Sequence, residues 1–240
     1  MHTRFLGTGI LQIAILFVLT IMIGWNAGCS FNRQRQRKAK PVPQFVKKVA
    51  VVGFRSAREQ GSSPDVIRSA ISGGAFNAEP VPGSKVDWLT QQLFDRLIRI
   101  NRYDLVSPSQ AQGVYSTLVN SQSTLSELEI LKRIGNAFSA DTVLAGYLYR
   151  WREREGTDYA VRTPASVAYD LYLIRPSNGA VVWKGVFDVT QKSLSENLLE
   201  MDTFIEGGGK WMTADRLAEV GLNRLIKELS TPSASRGSKP

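Results

Sequence analysis

The sequence predicts one α/β (α+β) domain, a single mixed β-sheet packed by helices in the order β-α-β-α-α-β-β-β-α. Three observations point there. A β-branched run, Lys47 to Phe54, reads as a buried strand. Stripes of helical period alternate with short apolar runs through the first half of the chain. Three segments of strand period then follow one another, with Asn178-Gly179 between the last two as a hairpin signal. One sheet with helices on it buries all of these stripes together.

Residues 55–83 carry scattered Gly, Ser and Pro without a steady period and read as a long irregular loop, either mobile or functional. Ser84 to Ile100 is helical, with Ser84 as cap and Val86, Leu89, Leu93, Leu97 and Ile100 as its stripe. Tyr103 to Val106 is the next strand. Ser107-Pro108 reads as an N-cap followed by Pro at the first helical position, opening a helix to Val119. Thr124 and Glu127 form a capping-box pattern ahead of a helix to about Phe138. Asp141 to Arg152 alternates, which puts Val143, Ala145, Tyr147, Tyr149 and Trp151 on one face. Ala165 to Arg175 does the same for Val167, Tyr169, Leu171 and Leu173, and Val181 to Thr190 returns beside it. The alternating aromatics, Trp183 among them, read as sheet core, and any that stayed exposed would form a binding strip. A last helix, about Thr213 to Leu229, carries Leu217, Val220, Ile226 and Leu229, and residues 230–240 read as a disordered tail.

Charge separates the body from what precedes it. The chain has 240 residues and a net charge of +9, but eight of its 30 basic residues lie before Val49 and none of its 21 acidic ones does. The body is therefore nearly neutral, and nothing in it argues for a nucleic-acid-binding face. The basic segment Arg33 to Lys48 reads either as meeting anionic headgroups or as a solvated linker that repels itself into extension.

Cys29 is the only cysteine. It follows an apolar run from Phe5 to Ile23 and the small residues Ala27-Gly28. This arrangement resembles a bacterial lipobox, in which the cysteine takes a diacylglycerol thioether and fatty acyl chains such as palmitate and becomes the new N-terminus. The expected organisation is a signal peptide over 1–28, a lipidated basic tether over 29–46 and the domain over 47–229. Ser30 after the cysteine fits sorting to the outer membrane, with the domain facing the periplasm, as the lipoprotein family implies. The alternative is an uncleaved helix of about 20 apolar residues, anchored in the inner membrane. Basic residues on its C-terminal flank would then hold the domain in the cytoplasm.

Catalytic constellations are scarce. His2 is the only histidine and leaves with the leader, which removes histidine-based triads and metal sites from the mature chain; no cofactor or metal is expected. Gly207-Gly208-Gly209-Lys210 falls short of a phosphate loop, because Phe204 stands where its first Gly belongs and Trp211 where Ser or Thr follows the Lys. It reads as a turn into the last helix, or as a mobile loop gripping a partner through Gly208, Lys210 and Trp211. The carboxylates Glu196, Glu200, Asp202 and Glu206 read as a solvated face, since paired-acid glycoside chemistry needs a fixed geometry that spacing does not show.

Several stretches resemble one lipoprotein family. Val49-Ala50-Val51-Val52-Gly53-Phe54 resembles its opening strand. Leu89-Thr90-Gln91-Gln92-Leu93 and Arg102-Tyr103-Asp104-Leu105-Val106 resemble its first helix and following strand. Ile134-Gly135 through Ala140-Asp141-Thr142-Val143-Leu144-Ala145-Gly146 resembles its Gly/Ala-Asp passage, and Leu171 to Trp183 its terminal hairpin. The family is that of the curli-secretion lipoprotein CsgG, the penicillin-binding-protein activator LpoB and the N-terminal domain of TolB. The resemblance covers roughly residues 47–190. It implies an anticodon-binding-domain-like fold used as a periplasmic adaptor, without RNA binding. The chain departs from the curli pore in having no pair of extra amphipathic hairpins long enough for a membrane barrel. The function expected is that of a non-catalytic outer-membrane lipoprotein binding another envelope protein in assembly, secretion or cell-wall enzyme regulation. The alternative is a homo-oligomeric ring or secretion-pore component.

Overall fold

Parallel strands need a crossover between them, and here helices supply it. The computed structural model describes residues 42–43, 45–58, 65–121, 124–191 and 210–231. Strand β1 (Lys48–Ser56) runs parallel to β4 (Asp104–Val106) on one side and to β5 (Thr142–Arg152) on the other. Strand β8 (Ser166–Ile174) pairs antiparallel with β5, and β9 (Val181–Thr190) antiparallel with β8. The five-stranded order is β4-β1-β5-β8-β9. Two short hairpins lie outside this sheet, β2 (Val66–Arg68) with β3 (Ala75–Asn77) and β6 (Glu155–Gly156) with β7 (Val161–Thr163). The helices are α1 (Gly83–Ile100), α2 (Pro108–Ser121), α3 (Glu127–Ala137) and α4 (Ala214–Ser230). The mixed-sheet α/β class expected from the sequence is the one observed.

The sheet divides the core in two. On one face Leu89, Leu93 and Leu97 of α1 and Leu217, Leu222 and Leu225 of α4 pack against Val49, Val51, Leu144, Leu148, Tyr169 and Leu171. On the other, Ala111 of α2 and Ile130, Leu131 and Ile134 of α3 meet Ala50, Val52, Val143, Ala145, Tyr172 and Ile174. Each fully buried Leu or Ile contributes about 1.5–3 kcal/mol. Val42 and Val46, in the segment read as tether, belong to the first of these cores.

Two β-bulges reset which side chains face which core. In β1 the pairing steps from Val51↔Leu144 to Gly53↔Ala145, leaving Val52 extra, and Gly53 has φ +83°. Phe54 thereby joins Val49 and Val51. In β5 the pairing steps from Leu148↔Tyr169 to Arg150↔Ala168, leaving Tyr149 extra. Tyr147 and Tyr149 therefore stay in the core under α3, while Trp151 lies in the core under α1 and α4. The sequence reading put Trp151 with the tyrosines; a one-residue slip of register reverses the face of everything beyond it.

Helix caps differ from the expected ones at two positions. Ser126, not Thr124, caps α3 and accepts from Glu129 N; the pattern sought at Thr124 is satisfied two residues later by Ser126 and Glu129. Pro82 precedes α1 and makes no side-chain cap, so Ser84 lies inside the first turn. Ser107-Pro108 behaves as read: Ser107 N donates to Gln110 Oε1 at 3.1 Å and its Oγ accepts from Gln110 N at 3.4 Å. Thr213 caps α4, accepting from Arg216 N at 3.3 Å.

The long segment read as irregular contains the β2–β3 hairpin, which lies as a strap on the sheet. Phe76 of the strap stacks on Tyr149, with ring centroids 3.9 Å apart and planes at 8°. Glu79 N donates to Tyr149 O at 3.0 Å, and Arg150 donates to Asn77 O at 2.9 Å.

Candidate functional site

Where β5 ends, the chain turns out into the β6–β7 hairpin, and the segment leading to α4 comes back beside it. Thr157 N donates to Ala160 O at 2.8 Å, and Thr157 Oγ1 accepts from the amides of Tyr159 and Ala160 at 3.4 and 3.1 Å. Gly156 enters this turn with φ +124°, and a Cβ there would lie 2.3 Å from Ala160 O. The closed turn holds Tyr159 outward, 76% exposed. Behind it Arg162 grips Glu155 through Nε and a terminal nitrogen at 3.0 and 2.8 Å, and Thr163 Oγ1 adds a third bond at 3.0 Å. The Arg162 bonds and the Thr163 hydroxyl hold the Glu155 carboxyl below its usual range.

Lys210 and Trp211 are fixed against this hairpin. Trp211 N donates to Asp158 O at 2.9 Å, Arg154 donates to Trp211 O, and Arg154 pairs with Asp158 at 2.5 Å. Buried Gln191 donates to Lys210 O at 3.0 Å and accepts from Met212 N at 2.7 Å. Lys210 Nζ stands 5.5 Å from the centre of the Tyr159 ring. Glu153 accepts from Ala214 N at 3.2 Å and from Trp151 Nε1 at 2.9 Å, which ties the start of α4 to the end of β5. Lys85 closes the cluster, paired with Asp215 at 2.5 Å and lying 5.4 Å from the centre of the Trp151 ring.

Of the residues singled out from sequence, Lys210 and Trp211 thus meet at one place, Lys210 exposed and Trp211 half-buried. Gly208, Cys29 and the carboxylates Glu196, Glu200, Asp202 and Glu206 lie outside the described residues. The sheet aromatics Tyr147, Tyr149, Trp151, Tyr169 and Trp183 are all buried. Tyr159 was not singled out; its signal is the Gly156-Thr157-Asp158-Tyr159 turn, too short to register as a hairpin. An exposed aromatic beside exposed cations can bind a surface. It offers no paired nucleophile and base.

A second cluster of polar groups lies beneath the strap. Asp170 on β8 is fully buried. It accepts from the Tyr149 hydroxyl at 3.1 Å on both oxygens and from the Tyr172 hydroxyl. Burial pushes its carboxyl up to about 6, against the pull of these hydroxyls and of Lys184. Next to it, Tyr147 donates to Glu127 at 2.7 Å and accepts from Arg55 at 3.1 Å, and Arg55 pairs with Glu127. Among the described residues no group of three or more His, Cys, Asp or Glu could hold a metal ion, and no helix is long and apolar enough to cross a membrane.

The fold and site together define an α/β domain with a five-stranded mixed sheet and a projecting hairpin beside the last helix. No family model matches the chain and no curated protein matches it. Among solved structures it is similar to the PelC dodecamer from Paraburkholderia phytofirmans, at 18% identity over 80% of this chain and 95% of that one, with a TM-score of 0.44. It is also similar to the LpoB C-terminal domain from Salmonella enterica, at 17% identity over 61% and 84%, TM-score 0.35. Lipoprotein GNA1162 from Neisseria meningitidis is similar at 14% identity over 67% and 94%, TM-score 0.38.

Proposed function

We propose that the chain is a non-catalytic lipoprotein of the bacterial envelope, tethered through Cys29, which docks a protein partner on the surface formed by Tyr159, Lys210 and Trp211. The observation that carries the docking surface is Tyr159, held outward by a closed turn and standing against Lys210. Exposed aromatics set among cations are the residues from which binding hot spots are built. Gly208 precedes Lys210 and Trp211 in sequence and is included in the proposed surface. The lipobox-like Ala27-Gly28-Cys29 supports the anchor, and Ser30 supports an outer-membrane location facing the periplasm.

The test is site-specific photo-crosslinking in the native envelope. A crosslinking residue at Tyr159 should give one discrete adduct, which Trp211→Ala weakens. The same residue at Ile98, an exposed apolar position on α1, should give none. Equal labelling at both positions would remove the docking surface.

The second reading, a homo-oligomeric ring, is favoured by β9. This edge strand of ten residues pairs only with β8 among the described residues, and an open edge is a template for another chain. Mass photometry in detergent decides it, a strict monomer at every concentration excluding the ring.

A further inference from the structure

Hydrogen bonds beneath the strap link β9 to the carboxylate of β8. Lys184 Nζ donates to Ser72 Oγ at 2.7 Å, and a lysine can only donate. Ser72 Oγ and Ser69 Oγ lie 2.7 and 2.8 Å from the Tyr172 hydroxyl. The Tyr172 proton goes to Asp170, so Ser72 gives its own to Tyr172, while Ser69 lies within hydrogen-bond reach of Tyr172, Tyr149 and Asp170 itself. The chain runs from Lys184 of β9 through the strap to a buried carboxylate of β8. Opening the strap breaks it and lets water reach Asp170.

We propose that the β2–β3 hairpin is a pH-sensitive strap, whose closure over the sheet is tightened when Asp170 takes a proton and loosened when Asp170 ionises. The direction follows from burial. With the strap closed, Asp170 is fully buried and, among the described residues, no cation pairs with it; Lys184 stops at Ser72. The closed state therefore favours the neutral acid. With the strap open, water stabilises the carboxylate and the proton is held less tightly.

The neutral acid also fits the closed site. Its O–H can be given to the Tyr149 oxygen, and Tyr149 can turn its own proton to Ser69, which is already a hydrogen-bond neighbour. The strap then keeps its bonds to Tyr172 and to Tyr149. The titratable groups facing Asp170 among the described residues are Tyr147 and Tyr149 of β5, Tyr172 of β8 and Lys184 of β9, and the Ser69 hydroxyl of the strap bonds it directly. Beyond Tyr147 lies the Arg55–Glu127 pair, and beside the strap the Arg150–Asp188 pair at 2.5 Å. Both pairs are internally neutralised. The strap's own Asp65 and Arg68 face solvent.

The experiment is amide hydrogen exchange on the full chain from pH 4.5 to 7.5, each rate corrected for its intrinsic pH dependence. The amides of Ser69, Ala78 and Glu79, bonded to Gly74, Asp65 and Tyr149, report the strap. Their protection should fall about tenfold between pH 5 and pH 7, and they should exchange faster than Leu171 of β8 at every pH. In Asp170→Asn the strap protection should lose this slope. Flat protection in the wild type, exchange at the Leu171 rate, or an unchanged slope in the variant would each overturn the proposal. A carboxyl ¹³C titration of Asp170 in the wild type tests it without a variant: a midpoint well above that of an ordinary aspartate supports the strap, and an ordinary midpoint overturns it.

Discussion

Replacing Gly53 by alanine should remove much of the stability margin of this domain, because backbone strain and a steric clash with Thr90 meet at that residue. Gly53 has φ +83°, and an L-residue held at positive φ loses about 1–2 kcal/mol. Its new Cβ would lie 2.3 Å from Thr90 Cγ2 and 2.8 Å from Thr90 Oγ1. Overpacking of this kind costs about 1–3 kcal/mol. Thr90 has little room to give way, because its Oγ1 accepts from Phe54 N at 2.8 Å, and losing that bond costs about 1 kcal/mol more. The expected loss is about 3–6 kcal/mol, against the 5–15 kcal/mol that a domain of this size has in total. Urea denaturation followed by tryptophan fluorescence measures it. Thr90→Ser removes the 2.3 Å contact and keeps the hydroxyl, so the double variant should recover at least about 1 kcal/mol of the loss in a double-mutant cycle. A Gly53→Ala loss below about 0.5 kcal/mol, the range of neutral surface changes, or independent effects of the two substitutions would refute the reasoning. The bulge would then not be pinned by α1.

Three further outcomes are expected. Asp170 holds a proton in the folded chain up to about pH 6 against 3.8 for an ordinary aspartate, so its contribution to stability is full at low pH and is lost as the pH rises through that window. The loss is at most about 3 kcal/mol. Asp141 works in the opposite sense, because the amides of Lys48 and Lys47 hold its carboxyl low. The quantity to measure by urea titration at pH 4 and pH 7 is therefore the wild type minus Asp170→Asn, which should fall. Ser126→Ala should cost about 1 kcal/mol by urea titration while Thr124→Ala stays within about 0.5 kcal/mol, since only Ser126 caps α3. Leu131→Ala, at a fully buried position between α3 and the sheet, should cost about 2–5 kcal/mol, read as a fall in the denaturation midpoint without a change of slope.

Periodicity carries the main elements of this fold but cannot carry its bulges. The stripe of Leu89, Leu93 and Leu97 and the alternation of Val167, Tyr169, Leu171 and Leu173 appear where expected, because each face is buried along its whole length. Trp151 does not, because the extra residue at Tyr149 is a property of pairing with β8 and leaves no mark on the alternation of β5 alone. The strap was hidden for a related reason. Its strands have three residues each and are held by contacts with Tyr149, Tyr172 and Lys184, far away in sequence. Of the site, the Lys210-Trp211 pair was legible as an aromatic beside a cation after a glycine run. Its neighbour Tyr159 was not, since Asp158 and Arg154 join the two segments only in three dimensions.

Mass spectrometry of the N-terminal fragment from native membranes, beside Cys29→Ser, tests the proposed lipid tether. The wild type should begin at Cys29 and carry acyl chains, and the variant should carry none. An intact leader beginning at Met1 without lipid would contradict it, and by the charge rule would hold the domain in the cytoplasm.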